Sequence, residues 1–117
     1  MQQLKDGKKE LMVVNDKLGT PTYTRDFAHN LKKILEQEYW GVYNLVCEGS
    51  TSRLEVAKEL MRILNIENEI TITEVDSKYF QHEYFAPRPR AECLINKKLN
   101  LRGLNMMRDW RVCLRDY

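Results

Sequence analysis

A chain of 117 residues has the length of one ordinary domain, and with 43% hydrophobic and 31% charged residues it is balanced as a globular protein rather than a disordered one. Net charge is only +2, with acids and bases interspersed, which excludes the clustered basic surface of a nucleic-acid binder. No apolar run nears the ~20 residues that span a bilayer, and the first residues lack a signal-peptide core, so a cytoplasmic location is expected.

In chain order, Met1 to Lys5 reads as the last turn of a helix stopped by Gly7. Leu11-Met12-Val13-Val14 is a short continuous apolar run, the pattern of a buried strand. Asn15 to Pro21 carries loop residues. Thr24 is positioned to N-cap a helix whose apolar face is Phe27, Leu31, Ile34 and Leu35. Gly41 ends that unit, and Val42 to Val46 reads as a strand. Ser52-Arg53-Leu54-Glu55 is a capping box, followed by an apolar stripe of Leu54, Ala57, Leu60, Met61 and Leu64. Ile70 to Val75 alternates and is rich in β-branched residues, so a half-exposed strand is expected. Asp76-Ser77 can cap a short helical turn through Phe80. Gln81 to Arg90 is an irregular loop stiffened by Pro87 and Pro89. Cys93-Leu94-Ile95 reads as a short strand. Asn96 can cap a brief helix to about Leu101, which Gly103 ends, and Asp109 to Tyr117 closes as a helix. The pattern is α/β: short strands alternating with helices.

Few residues stand out for chemistry. Cys47, Cys93 and Cys113 are isolated, with no Cys-x-x-Cys, and His29 and His82 are far apart. A disulfide framework and a zinc site are both disfavoured. Arg88 and Arg90 sit in the Pro-stiffened loop with few acids beside them. A guanidinium is a planar fork of donors that matches phosphate oxygens, although surface ion pairs are an equally simple use for it. Gly19 and Thr20 lie in a strand-to-helix turn. They allow close backbone approach of a ligand and offer a hydroxyl, or they serve the turn alone.

The run Val13-Val14-Asn15-Asp16-Lys17-Leu18-Gly19-Thr20-Pro21-Thr22-Tyr23-Thr24-Arg25-Asp26-Phe27-Ala28 resembles a segment of the dTDP-4-dehydrorhamnose reductase family, within the extended short-chain dehydrogenase/reductases. Gly41 to Ser50, Ala86-Pro87-Arg88-Pro89-Arg90, and Asp109-Trp110-Arg111 with Leu114 to Tyr117 resemble further family segments in the same order. Three departures are visible. Lys17 replaces the usual Gln, Arg53-Leu54 replaces an aromatic pair, and Arg108 stands where Pro commonly precedes the Asp-Trp.

The resemblance implies the C-terminal, nucleotide-sugar-binding portion of an extended Rossmann-type reductase, without the cofactor-binding half. It implies that residues 24–46 pack on that half, and that without it the chain self-associates. It further implies Arg88 on the diphosphate of a dTDP-sugar, with Arg90, Lys17, Gly19 and Thr20 along the cleft. The intact relatives use NADPH or NADH to reduce dTDP-4-dehydro-L-rhamnose. This chain has neither a glycine-rich dinucleotide turn nor a Tyr-x-x-x-Lys pair, so no cofactor and no reductase activity of its own are expected. The alternatives are another nucleotide-sugar reductase or epimerase, and a non-catalytic regulatory homologue such as the methionine adenosyltransferase β-subunit.

Overall fold

The structure, a computed structural model, describes residues 7–82, 86 and 88–117. The helical turn expected over Met1 to Lys5 lies outside them, as does Pro87 of the Pro-stiffened loop. The elements are β1 (Glu10–Val14), β2 (Leu18–Gly19), α1 (Thr24–Glu36), β3 (Thr51–Ser52), α2 (Arg53–Leu64), β4 (Thr71–Val75), a 3₁₀ turn (Ser77–Phe80), β5 (Ala91–Glu92), α3 (Lys97–Leu101) and α4 (Trp110–Asp116). The backbone gathers into two compact units. One holds residues up to Leu18 with Thr51–Glu92, and the other holds Gly19–Ser50 with Cys93–Tyr117.

In the first unit, β1 and β4 pair in parallel, with Glu10 opposite Thr71 and Val14 opposite Val75. Parallel strands need a crossover, and α2 supplies it, packing against β1. Leu54 and Met61 are the buried members of its apolar stripe, while Leu64 is exposed. Ser52 caps α2 as expected, its hydroxyl accepting from the Glu55 N–H at 3.2 Å. At the other end Asn65 is left-handed. The Asn65 and Ile66 N–H groups return to the Arg62 and Met61 carbonyls, which satisfies two of the helix's terminal acceptors. The Asp76 carboxylate caps the 3₁₀ turn through the Lys78 and Tyr79 N–H groups. Asp16, just after β1, accepts from both the N–H (2.9 Å) and the hydroxyl (2.8 Å) of Ser77. Those bonds, first of all the Ser77 hydroxyl, hold its carboxyl below the ordinary value. The short pieces β3, β2 and β5 are ordered β3-β2-β5.

The second unit departs from several expectations. Helix α1 starts where predicted, but Thr24 is its first helical residue, and Tyr23 occupies the cap without a side-chain bond. The buried stripe of α1 is Asp26, Asn30 and Ile34, not the predicted apolar face. Of that face only Ile34 is buried; Phe27 and Leu31 are each 38% exposed and Leu35 is 55% exposed. The reason is that the buried polar pair is satisfied. Asn30 Nδ2 donates to the Leu104 carbonyl at 2.8 Å, and its Oδ1 accepts from the Met106 N–H at 2.9 Å.

Val42 to Val46 does not form the expected strand. Backbone groups at its two ends are taken by side chains instead of a neighbouring strand. Asn96 accepts from the Val46 N–H at 3.0 Å and donates to its carbonyl at 2.7 Å, and Lys98 donates to the Val42 carbonyl at 2.9 Å. Likewise Cys93-Leu94-Ile95 is not a strand. The ladder falls on Ala91–Glu92, and the Leu94 N–H donates to the Thr20 hydroxyl. Helix α3 closes as predicted at Gly103, whose φ is +64°. The Gly103 N–H bonds Asn100 and the Leu104 N–H bonds Leu99, which places Leu99 against Leu104 in the core with Ile34.

Candidate functional site

The predicted site residues fall in both units. In the first, the strand pairing joins two stretches that are distant in sequence. The Leu18 N–H donates to the Arg90 carbonyl at 2.8 Å, and Lys17 Nζ donates to the Arg88 carbonyl at 2.5 Å. Lys17, Arg88 and Arg90 therefore share one edge of the β2–β5 pairing. Both arginines are exposed, and Lys17 is half-buried. Among the described residues no carboxylate pairs with either guanidinium. The forked donors of an arginine side chain suit phosphate oxygens.

Gly19 and Thr20 belong to the second unit. A Cβ built on Gly19 would meet nothing within 4 Å, so the chain's own packing does not demand glycine there. The Thr20 hydroxyl has a structural partner, accepting from the Leu94 N–H at 3.2 Å.

The second unit holds a charge cluster that the sequence does not announce. Arg108 donates from Nε and Nη2 to the two oxygens of Asp26, at 2.8 and 2.9 Å, and from Nη1 to Asp116 at 2.7 Å. The cluster borders an open cleft of about 380 Å³, also lined by Arg25, His29 and Met106. Two carboxylates already occupy the Arg108 fork, so it works as a clamp between the start of α1 and the end of α4. These bonds raise the Arg108 pKa further above its already high ordinary value. The Arg108 guanidinium holds the Asp26 carboxyl below its ordinary 3.8, against the opposing effect of burial. The one signal in the sequence was Arg108 itself, standing where the resembling family commonly has Pro.

That clamp has a pH signature. Asp26 has a lower pKa folded than unfolded, so the unfolded chain binds its proton first. The stabilisation is fully present above about pH 4 and is lost as pH falls through the lowered folded pKa. Arg108 stays charged throughout and adds no slope. Asp26→Asn should cost on the order of 1–3 kcal/mol at pH 7, reduced by the partial exposure of Arg108. Urea unfolding at pH 7 and pH 3 checks this. The gap between wild type and variant should shrink at the lower pH, and a gap independent of pH would show that the charge of Asp26 contributes nothing.

The chain matches the RmlD substrate binding domain over residues 1–117. It belongs to that family. It is 32% identical over 117 residues to the spore coat polysaccharide biosynthesis protein SpsK of Bacillus subtilis (strain 168), covering 100% of this chain and 39% of that protein. It is 30% identical to the dTDP-4-dehydrorhamnose reductase of Mycolicibacterium smegmatis, covering 99% of this chain and 35% of the relative. The fold agrees with a crystal structure of a dTDP-4-dehydrorhamnose reductase from Clostridium acetobutylicum ATCC 824 (TM-score 0.89, 30% identity, 99% of this chain, 40% of that one). It also agrees with the enzyme from Bacillus anthracis str. Ames solved in complex with NADP (TM-score 0.86, 27% identity, 99% and 39%). The chain thus spans about two fifths of the length of these relatives. The α/β class and the resemblance read from the ordered motifs are both as expected for an RmlD substrate binding domain.

Proposed function

We propose that this RmlD substrate binding domain supplies the nucleotide-sugar side of a dTDP-4-dehydrorhamnose reductase-like enzyme, and that Arg88 binds the diphosphate. The carrying observation is the shared edge: Lys17 pins the Arg88 carbonyl, and Arg90 is fixed by its pairing with Leu18. Two exposed guanidiniums on a backbone so tied lose less freedom on binding than they would on a free loop. Lys17, which replaces the family's usual Gln, acts as the anchor of the Arg88 segment and adds positive charge beside it.

In the intact enzyme a nicotinamide cofactor would supply hydride to the 4-keto group of the sugar. This chain has no Gly-rich turn to hold it, and no tyrosine followed four residues later by lysine to donate the proton. Those parts would come from elsewhere in the protein, and the exposed Phe27, Leu31 and Leu35 of α1 are suited to pack against them. A cytoplasmic setting accords with the free thiols of all three cysteines.

Calorimetry with dTDP-L-rhamnose tests the assignment. Arg88→Ala should weaken binding about tenfold to a hundredfold, the loss of charge-assisted hydrogen bonds to phosphate. Lys17→Ala should weaken it less, because its donor serves the backbone. Equal affinities for wild type and Arg88→Ala, or no binding by wild type, would refute the assignment.

A further inference from the structure

Cys47 and Cys113 lie 66 residues apart in sequence, yet their sulfurs are 3.6 Å apart. Both are buried and both are free thiols. They stand in a hydrogen-bonded row. The Tyr23 N–H donates to Cys47 Sγ at 3.2 Å, Cys47 donates to Cys113 Sγ, and Cys113 donates to Asp26 Oδ2 at 3.3 Å. A disulfide has sulfurs about 2.05 Å apart, so bonding requires an approach of about 1.5 Å. Spacing in the sequence gave no hint of this pair, whereas the exposed Cys93 stands apart from it.

We propose that Cys47 and Cys113 are a buried dithiol that a peroxide converts to an intrachain disulfide. The two sulfurs differ in role. Cys47 has a backbone donor aimed at it, which steadies negative charge on the sulfur. Cys113 is held as a thiol: burial first, then its bond to Asp26, pushes it up to about 12. Cys47 is therefore the attacking sulfur and Cys113 the resolving one. At 2% and 3% exposure the two sulfurs are closed to an oxidant the size of glutathione disulfide, so the oxidant proposed is the small hydrogen peroxide. The Cys47 sulfur attacks the peroxide, forming an S–O bond as the O–O bond breaks, and the Cys47 proton leaves with the departing hydroxide as water. The Cys113 sulfur then attacks the sulfenic acid. The S–S bond forms, the S–O bond breaks, and the Cys113 proton leaves with the hydroxyl as a second water. In sum, two thiols and one peroxide give one disulfide and two waters. The bond would draw Cys113 from Asp26 and close the chain between residues 47 and 113 into one long loop.

The experiment uses the 117-residue chain with Cys93→Ser, a change at an exposed position, to remove links between chains. After graded hydrogen peroxide the protein is denatured, alkylated and cut with trypsin. Cleavage after Lys33, Arg53, Arg111 and Arg115 leaves Cys47 in residues 34–53 and Cys113 in residues 112–115. The expected result is a linked pair of these peptides that grows with peroxide, is two hydrogens lighter than the free pair, and vanishes on reduction. The oxidised chain should also melt at higher temperature, since a closed loop restricts the unfolded state. Recovery of both cysteines alkylated, or their oxidation without a linked peptide, at peroxide doses that leave the chain folded would overturn the proposal. So would links found only between chains. A Cys113→Ser variant that still folds should leave Cys47 unlinked.

Discussion

Replacing Asn96 by alanine should destabilise the second unit by about 2–4 kcal/mol. Asn96 is 1% exposed, and its amide serves both backbone groups of Val46. Truncation leaves that N–H and that carbonyl without their partner in a part-buried place, and an unsatisfied group there costs roughly 1–3 kcal/mol. The loss extends further. Asn96 Nδ2 also approaches Glu48 Oε1 and Asn105 Oδ1, each at 3.3 Å, and Asn105 donates to the same Glu48 oxygen at 2.6 Å. Asn96→Asp is the sharper variant. It keeps the size and the acceptor for the Val46 N–H, but sets an oxygen against the Val46 carbonyl, so it should cost at least as much as alanine. Both tryptophans, Trp40 and Trp110, belong to this unit. Urea unfolding followed by their fluorescence therefore reports it directly. Midpoints within about 0.5 kcal/mol of wild type for both variants would show that water replaces the amide without loss.

Asn96 also shows how far the sequence could be read. Its position before a brief helical stretch predicts a cap, and α3 does begin at Lys97. The side chain, however, makes no cap bond and turns to Val46, fifty residues away. Local signals found the features whose partners are local, the Ser52 cap, the Asp76 cap and the Gly103 stop, and the alternation of β4 was legible although its partner β1 is distant. They failed where a distant side chain competes with regular structure. Val42 to Val46 has strand composition, but Asn96 and Lys98 bond the backbone of Val46 and of Val42 at its two ends. The same holds for α1. Apolar periodicity selects Phe27, Leu31, Ile34 and Leu35, whereas partners near the C-terminus allow Asp26 and Asn30 to be buried. Of the candidate site, arginine chemistry and the family motif pointed to Arg88 and Arg90. That Lys17 reaches the Arg88 carbonyl is a fact of pairing between β2 and β5, two strands of two residues each, too short to leave a periodic signal.

Gly49→Ala should cost about 2–4 kcal/mol, the second large effect, and for two separable reasons. Gly49 has φ +85°, a conformation in which a side chain is strained. A Cβ there would also lie 3.1 Å from Trp110 Cδ1 and 3.2 Å from Asp109 Oδ2. Neither neighbour yields freely. Trp110 is buried, and its backbone N–H donates to the Glu48 carbonyl at 3.1 Å, while the Glu48 backbone N–H donates to the Arg108 carbonyl at 2.9 Å. Asp109 caps α4 through the Arg111 N–H at 2.8 Å. Moving either loosens the bridge between residues 48 and 109, or the cap of the last helix. Gly49→Asn separates the two contributions, because asparagine tolerates positive φ better than alanine but carries the same Cβ. If steric contact dominates, the asparagine variant should be at least as unstable as alanine; if backbone strain dominates, it should recover part of the loss. Unfolding midpoints of the three proteins decide between these, with Trp110 emission as the local probe. An alanine variant as stable as wild type would mean that the turn at Gly49 relaxes away from Trp110 without cost.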